Sequence, residues 1–321
     1  PNYLLAPAAP VAATITKAAL TVTANADARF IGQTDATSFN GANYAGFVAG
    51  ETDVTAGLGG SLTITRSNVA TGAAGTYAGV LMPGGLTSPN YAMSYVAGDY
   101  TIVPAGQLLV KVANASAAYG AAGTYAISSV EYLTTNGSTL TTLTVGSSNG
   151  ATYTYNDGFG GSVSFTLGAT GTFTPGGALP VGNYALTGSG LSQTGTNFSG
   201  TPIFVGNQAV TPKQLTTTAS KTYDGTRVLP AANLVLAGAL AGDTVAAAGA
   251  GEFVLTGAGA GQNYTLGGVT LTGAQAANYF VDTLNPATNG VITVKTITVT
   301  ALAASKVYDG LAFTGGNGVT F

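Results

Sequence analysis

Threonine alternates with large apolar residues in several short stretches of the chain. The clearest stretches are residues 20–23, 61–65, 162–166 and 291–294. An alternation with a period of two is typical of strands that bury one face. Pairs that favour tight turns stand between the stretches, namely Asn136-Gly137, Asp157-Gly158 and Asn289-Gly290. The Ala-rich residues 244–251 contain glycines and lack an apolar stripe, so we expect loop or strand there and an all-β chain.

An asparagine followed by an aromatic residue recurs along the chain. The four copies are Asn2-Tyr3, Asn90-Tyr91, Asn197-Phe198 and Asn278-Tyr279. Three of them follow a Gly-containing stretch with a tyrosine, and the interval between the two aromatic residues is nearly constant. The intervals run from Tyr77 to Tyr91, from Tyr184 to Phe198 and from Tyr264 to Tyr279. A nearly constant interval indicates an internal repeat.

A second marker follows each Asn-aromatic pair. It is a β-branched alternating stretch, which we interpret as the opening strand of the next repeat, at residues 17–24, 108–113, 213–219 and 295–301. An aromatic residue and a glycine come after each opening strand, in Phe30-Ile31-Gly32, Tyr119-Gly120, Tyr223-Asp224-Gly225 and Tyr308-Asp309-Gly310. The structural signature that we predict consists of Tyr223, Asp224, Gly225, Tyr308, Asp309, Gly310, Asn90, Tyr91, Asn197, Phe198, Asn278 and Tyr279.

These markers divide the chain into five segments. They are the end of a preceding repeat (1–16), a first module (17–105), a middle module (106–212), a third module (213–294) and the start of a further repeat (295–321). The middle module is the longest, and we expect an inserted hairpin with strands at 129–133 and 151–155. The prediction is a linear array of β-sandwich modules, immunoglobulin-like or alternatively β-grasp-like, cut from a longer chain.

The composition excludes several kinds of function. The 321 residues include no His, no Cys and no Trp, so histidine catalysis, disulfides and thiolate chemistry are excluded. Only 7% of the residues are charged and the net charge is -3, which leaves no basic surface for nucleic acid. No run of about 18 apolar residues occurs, so we expect no transmembrane helix. We predict that the chain is not an enzyme and needs no cofactor.

Two sets of motifs resemble known repeats. Residues 221–225 and 306–310, with Asn278-Tyr279 and the alternating residues 292–300, resemble the YDG-type repeat of large bacterial filamentous haemagglutinin-like adhesins. Residues 15–24, with Gly75-Thr76-Tyr77 and Pro89-Asn90-Tyr91, are similar to the related MBG-type repeat. We therefore expect MBG-like first and middle modules and a YDG-like third module. The resemblance implies an exported, cell-surface protein of a Gram-negative bacterium with tandem domains in a long stalk or fibre, and it implies no catalysis.

The repeated motifs have a structural explanation as well as a chemical one. In each Tyr-Asp-Gly triplet the acid is a possible metal ligand and the tyrosine a possible platform for a sugar. An Asp-Gly turn with the tyrosine as its hydrophobic anchor explains the same triplet, and we prefer it because the motif recurs once per module. We likewise interpret the Asn of each Asn-aromatic pair as an Asx-type turn or cap.

Other candidate sites are incomplete. Glu51 and Asp53, with Asp243 as the equivalent of Glu51, come closest to a calcium site, but two carboxylates are too few. Residues 158–161 lack the lysine and helix of a phosphate loop, so a hairpin tip is expected there. The lysines considered for internal isopeptide bonds have no acids at a common distance; they are Lys17, Lys213 and Lys295.

We expect a structural role in an extracellular adhesin, as a stiff repeat stalk that supports adhesion or biofilm formation. Prolines in short connections, such as Pro104 and Pro212, would stiffen it. One alternative is a self-assembling filament or sheath subunit, joined by strand complementation at the edges 15–24 or 292–301. A second is a glycan-binding module that uses exposed Tyr153 and Tyr155. Expected partners are neighbouring repeats, homotypic fibre contacts or surface glycans.

Overall fold

The computed structural model describes residues 14–48, 50–70, 72–148, 152–314 and 318–320. Within these residues the regular structure consists of strands and two short 3-10 helices, with no α-helix. The predicted all-β class is confirmed. The first Asn-aromatic pair, Asn2-Tyr3, lies outside the described residues, as does Ala151 of the predicted hairpin.

The chain forms two compact units. Unit 1 contains the described residues up to Gln214, together with Ala239–Thr244 and Gly273–Phe280. Unit 2 contains Leu215–Gly238, Val245–Thr272 and the described residues from Val281 onward. The first and middle modules therefore belong to one unit, whereas the third module contributes to both.

The first module has seven strands. They are β1 (Ala18–Ala24), β2 (Asp27–Phe30), β3 (Ala42–Ala45), β4 (Gly59–Arg66), β5 (Gly75–Thr87), β6 (Tyr91–Val96) and β7 (Gly98–Val103). One sheet has the order β3-β1-β6 and the other the order β2-β7-β5-β4. The predicted strands at 20–23 and 61–65 lie in β1 and β4. Alternate residues of β1, such as Leu20 and Val22, are fully buried, as the period of two requires.

The middle module has ten strands. They are β8 (Leu108–Val112), β9 (Ala115–Ala118), β10 (Ile127–Leu133), β11 (Leu140–Thr142), β12 (Thr144–Ser148), β13 (Thr152–Asn156), β14 (Ser162–Ala169), β15 (Gly182–Thr194), β16 (Ile203–Val205) and β17 (Asn207–Thr211). Their sheets have the orders β11-β10-β8-β16 and β12-β13-β14-β15-β17-β9. The core between them contains Phe165 and Leu186.

The prediction of a hairpin from 129–133 and 151–155 is wrong in its pairing. Both stretches contain strands, but β10 pairs with β8 and β11, whereas β13 pairs with β12 and β14. The Asn136-Gly137 turn joins β10 to its neighbour β11, with Gly137 at φ 72°. A tight turn pairs the strands on either side of it, so the insertion supplies two separate pairs.

The third module and the following segment contain the remaining strands. They are β18 (Lys213–Gln214), β19 (Thr216–Thr222), β20 (Val228–Pro230), β21 (Leu234–Ala237), β22 (Ala246–Phe253), β23 (Gly259–Thr265), β24 (Val269–Thr272), β25 (Tyr279–Phe280), β26 (Ala287–Thr293), β27 (Thr300–Ala301) and β28 (Val319–Thr320). The two 3-10 helices are Ala231–Asn233 and Ala276–Asn278. In unit 2, β20, β22, β23, β26, β19 and β21 follow one another in a single sheet, and β24 pairs with β22.

The turn predicted at Asn289-Gly290 is absent, because both residues lie inside β26. The pairing of β26 with β23 shifts register on both sides of the pair Gln262 and Gly290. Glycine in a strand interior often marks such a bulge or a close backbone approach. A Cβ on Gly290 would lie 2.6 Å from the Phe253 ring, so close packing explains this glycine.

The edges proposed for strand complementation are mostly paired. Strand β1 lies between β3 and β6, and β26 lies between β23 and β19, so the prediction of a free edge at 15–24 is wrong. Of the expected opening strand at 295–301, only Thr300–Ala301 is a strand, and it pairs with β28.

The opening and closing strands of every module run parallel. The parallel pairs are β1 with β6, β2 with β7, β8 with β16, β9 with β17, β18 with β25, and β19 with β26. The immunoglobulin-like architecture consists of antiparallel sheets, so this pairing is a separate feature of the fold. Within unit 1, Phe280 lies beside Gly50, where a Cβ would be 2.9 Å from its ring. The linear array that we expected does not include this contact between the first and third modules.

Candidate functional site

The aromatic residue of the Asn90-Tyr91 pair begins the closing strand of the first module. Tyr91 is buried, and its ring packs edge-on against Phe47 with the centroids 5.7 Å apart. Its hydroxyl accepts the N–H of Val48 at 3.0 Å and donates to the carboxylate of Glu51. Burial first, and then the Glu51 carboxylate, raise the pKa of Tyr91. The tyrosine thus connects the closing strand to the loop before β4.

Tyr279 has the same contacts at the end of the third module. Its hydroxyl accepts the N–H of Leu240 at 2.8 Å and donates to the carboxylate of Asp243 at 2.6 Å. Burial first, and the hydrogen bond to Asp243 second, raise the pKa of Tyr279 to about 12. The acid precedes the tyrosine by 40 residues in the first module and by 36 in the third. We call this arrangement of tyrosine, carboxylate and backbone N–H the closing contact.

The closing contact at Tyr279 also includes Tyr119, the aromatic residue after the opening strand of the middle module. The Tyr119 hydroxyl donates to Asp243 at 2.7 Å, and the two rings pack edge-on at 5.2 Å. The N–H of Gly176 donates to the other oxygen of Asp243 at 2.9 Å. Burial opposes ionisation of Asp243, but these hydrogen bonds outweigh it and lower the pKa of the carboxyl group. Repeated aromatic residues of two modules thus donate to one carboxylate.

The middle module closes without a tyrosine hydroxyl. Phe198 packs against Tyr132, with ring centroids 5.4 Å apart. The neighbouring Asn197 donates its amide to the buried carboxylate of Asp157 at 2.8 Å, across an interval of 40 residues. Asp157 also accepts the N–H groups of Phe159 and Gly161 at 2.8 and 2.7 Å. These bonds outweigh burial and lower the pKa of Asp157. In each module, therefore, an acid that lies 36 to 40 residues earlier accepts a hydrogen bond from one member of the Asn-aromatic pair.

The asparagines of the other two pairs have different contacts. The carbonyl of Asn90 accepts the N–H of Ala18 at 2.9 Å, which begins the parallel pair of β1 and β6. The side-chain oxygen that accepts the N–H groups of Asn90 and Tyr91 belongs to Ser88, at 3.1 Å in both cases. Asn278 is buried and accepts the N–H of Val181 at 2.9 Å. The Asx-type turn that we predicted is wrong for these pairs, because Asn278 accepts a backbone N–H from 97 residues earlier in the chain and the turn at position 90 uses a serine.

The first Tyr-Asp-Gly triplet is a turn held by a buried lysine. Lys221 donates to the Asp224 carboxylate and to the carbonyls of Thr226 and Val228, each at 2.8 Å. The Lys221 ammonium first, and then the Thr226 backbone and hydroxyl, lower the pKa of Asp224 to about 2. Gly225 has a φ of 79°, which glycine adopts without strain. The Tyr223 side chain is 42% exposed, so it is only partly an anchor of the turn.

The second triplet repeats this turn in the following segment. Lys306 lies 2.8 Å from the carboxylate of Asp309, and Gly310 has a φ of 78°. The Lys306 ammonium first, and the N–H of Leu311 second, lower the pKa of Asp309. Tyr308 is 93% exposed, so the anchor role that we predicted for it is wrong here. The lysine three residues before each acid is the partner that the sequence analysis did not identify.

A partly buried cluster of charges in the first module was also missed. Asp35 accepts Arg29 Nε at 2.7 Å and the Tyr100 hydroxyl at 2.9 Å, and its other oxygen lies 2.9 Å from Arg66 Nε. The Arg66 side chain is 2% exposed, and its guanidinium carbon lies 4.9 Å from the Tyr100 ring centroid. Burial and the Asp35 carboxylate raise the pKa of Tyr100. The scarcity of charged residues is a signal that could have drawn attention to both arginines.

The residues of the incomplete candidate sites have structural roles. Glu51 accepts the Tyr91 hydroxyl and Asp53 is exposed, and the described residues contain no group of three or more acids that could hold a metal. Residues 158–161 form the tip between β13 and β14, as predicted. Lys17 donates to the carbonyl of Ser88 at 2.8 Å.

The tyrosines proposed for glycan binding are part of a core. Tyr155 is buried, and its ring stacks on Phe165 at 6.3 Å. Tyr153 is half-buried against the same ring at 6.1 Å, and its hydroxyl donates to the carbonyl of Tyr125. The prediction that they are exposed is wrong, because both face the interior of the middle module.

Comparison with known protein families assigns two regions of the chain. Residues 20–101 match the MBG domain of the YGX type, and residues 207–288 match the YDG domain. No curated protein and no solved structure matches the chain. Among the described residues, no helix is long and apolar enough to cross a membrane. The resemblance to both repeat types is confirmed, and the chain contains an MBG domain at 20–101 and a YDG domain at 207–288.

Proposed function

We propose that this chain is a structural segment of a large extracellular bacterial surface protein, where it acts as a stiff repeat stalk that supports adhesion. The observation that carries the proposal is a hydrophobic core shared by the first and middle modules within unit 1. A shared core suppresses bending between repeats. A catalytic role is not part of the proposal, since the carboxylates of Glu51, Asp157 and Asp243 serve as internal hydrogen-bond acceptors.

The shared core lies where one module passes into the next. Ala28, Phe30 and Val103 of the first module pack with Leu109, Leu133 and Val205 of the middle module. All six side chains are buried. We call this cluster the joint. Apolar residues that exclude water between two modules resist their separation in proportion to the area buried.

Polar contacts surround the joint. Lys111 lies 3.4 Å from the buried Asp27. The Asn114 amide donates to the carbonyl of Asn40 at 2.8 Å, and the side-chain oxygen of Asn114 accepts the N–H of Asn207 at 3.1 Å. Directional bonds on the rim of an apolar contact fix the orientation of the two partners. The apolar and polar contacts together fix the distance between the two modules and the rotation of one module relative to the other.

A repeated, weakly charged surface suits adhesion through many weak contacts. Only 7% of the residues are charged, so attachment would depend on packing and hydrogen bonding more than on electrostatic steering. Tandem repeats would convert weak single contacts into avidity if the joints hold their spacing. The partners that we propose are neighbouring repeats of the parent chain, other copies of the fibre, or surface glycans.

The rigidity of the joint can be measured by electron–electron resonance. The chain contains no cysteine, so Thr65→Cys and Ser192→Cys would place one spin label on an exposed position of each module. We expect a narrow distance distribution. Val205→Ala, which truncates the joint, should broaden it, whereas Val163→Ala, an equal truncation inside the middle module, should not. A broad distribution in the unmodified joint would refute the proposed stiffness.

A further inference from the structure

We infer that each module is a load-bearing unit in which tension between its two ends shears the parallel pair of opening and closing strands. The inference goes beyond the proposed surface role. It depends on strand direction alone. It can therefore fail while the surface role holds, and it can hold while the surface role fails.

The first module shows the geometry most clearly. Strand β1 pairs with β6 from Ala18 opposite Tyr91, and β2 pairs with β7 as far as Phe30 opposite Val103. Paired residues are the same number of positions apart in the chain in both strand pairs. The opening segment (β1 and β2) and the closing segment (β6 and β7) therefore form one parallel ribbon that passes from the first sheet to the second. The ribbon contains six register pairs in the first sheet and four in the second.

Parallel pairing places the two ends of the module at opposite ends of this ribbon. The chain enters the module before Ala18, at the start of the ribbon, and leaves it after Val103, at the end. Tension on the chain therefore pulls the opening and closing strands past each other along their own axes. Had they been antiparallel, both chain ends would lie at one end of the pair.

The direction of loading decides how many hydrogen bonds resist at once. In a parallel pair the interstrand bonds are evenly spaced along the strands. Sliding one strand along the other stretches all of them together, whereas pulling two strands apart at one end breaks them in succession. Forced unfolding is governed by the unfolding rate, so the sheared geometry should persist to much higher force.

Side chains hold the ribbon in register. Leu20 on β1 and Tyr91 on β6 are buried in one cluster with Ala56. The closing contact adds the hydrogen bond from Tyr91 to Glu51. Sliding of the closing strand would withdraw the tyrosine from this cluster, so side-chain packing resists the same motion as the backbone bonds.

The other modules also have parallel pairs of opening and closing strands, with fewer register pairs in each module. In the middle module, β8 with β16 has three register pairs and β9 with β17 has four. In the third module, β18 with β25 has two and β19 with β26 has three. Antiparallel pairs are two to three times commoner than parallel ones in proteins, and an all-β chain with short turns has no topological need for parallel terminal strands. Their presence in all three modules suggests a common mechanical purpose.

The test is to pull the full chain between engineered cysteines in two directions. Thr16→Cys with Pro104→Cys places the handles at opposite ends of the ribbon and loads it in shear. Thr16→Cys with Pro89→Cys places them at the same end of β1 and β6 and loads the pair as a zipper. All three positions are exposed. At equal loading rate, we expect the rupture force to be severalfold higher in the first direction.

Folding of both double variants is checked by circular dichroism and thermal unfolding, which should match those of the parent chain. A second handle set, Ile15→Cys with Ala105→Cys or with Asn90→Cys, repeats the comparison if one variant fails to fold. Rupture forces that are equal in the two directions, or lower in the first, would overturn the inference. Binding of cells or glycans is not part of the readout, so loss of the adhesive role would leave the result unchanged.

Discussion

Replacement of Asp35 by Asn tests whether the partly buried charge cluster stabilises the MBG domain. Asp35→Asn keeps the size of the side chain and removes the negative charge that faces Arg29 and Arg66. The asparagine has one acceptor oxygen in place of two, so one of the two arginines also loses its hydrogen-bond acceptor. Arg66 is buried and cannot turn to water without disturbing the Tyr100 ring beneath it.

The cost follows from the burial of the partners. Removing one member of a buried ion pair costs about 3–5 kcal/mol, because the remaining charge has no compensation. The Asp35 side chain is 23% exposed, and partial contact with water screens the charges. We therefore take the lower end of that range, about 3 kcal/mol at neutral pH.

The measurement is hydrogen exchange followed by mass spectrometry, with peptides from residues 20–101 as reporters. It gives the free energy of opening for this domain within the full chain. Asp53→Asn is the matched control, because it removes the same charge from an exposed position of the same domain. A surface change of this kind should stay within about 0.5 kcal/mol. Equal effects of the two variants, below about 1 kcal/mol, would refute the role assigned to the cluster.

Three further predictions concern the other contacts. Lys221→Met should destabilise the YDG domain by about 1–3 kcal/mol because two carbonyls lose their donor. Urea unfolding measures this loss, and the control Lys306→Met should have a much smaller effect because Lys306 is more exposed. Gly290→Ala should cost about 1–3 kcal/mol by overpacking, whereas Gly267→Ala, with open space around it, should be nearly neutral by the same assay. Hydrogen bonds hold the folded-state pKa of Asp157 below the ordinary value of an aspartate. Its contribution to stability should therefore be complete above about pH 5 and disappear as the pH falls through the lowered pKa. Circular dichroism across an acid titration measures this loss.

Each of these predictions has a contradicting result. Equal destabilisation by the two lysine variants would mean that burial of Lys221 is unimportant. A neutral Gly290→Ala would show that the bulge in β26 has room for a side chain. Asp157→Asn should lower stability at neutral pH and reduce its acid dependence, and an unchanged acid profile in this variant would assign the pH effect to other groups.

The strands themselves were predictable from local sequence. Strands β1, β4, β14 and β26 each contain a stretch in which threonine alternates with large apolar residues. This pattern reports burial of one face, which is a property of neighbouring residues. The prediction of a turn at Asn289-Gly290 is wrong because the same dipeptide also suits a bulge. Only the pairing with a partner strand distinguishes a turn from a bulge.

The parallel pairing and the contacts of the charged residues could not be predicted from the sequence. The register of Ala18 with Tyr91 depends on strands far apart in the chain, and the Asn-aromatic motif shows that a repeat ends but not which strand it pairs with. The equivalence of Glu51 and Asp243 was predicted, but their role as acceptors of tyrosine hydroxyls was not. Tyr153 and Tyr155 were assigned to the surface because the position of Phe165 opposite them could not be known.

Exposure on living cells tests the surface role most directly. Intact cells of a bacterium that produces the parent protein would be treated briefly with a protease, and the released peptides identified by mass spectrometry. We predict that peptides from the MBG and YDG domains appear before lysis, while a cytoplasmic marker protein stays uncut. Their appearance only after lysis, together with the marker, would contradict an extracellular structural role for this chain.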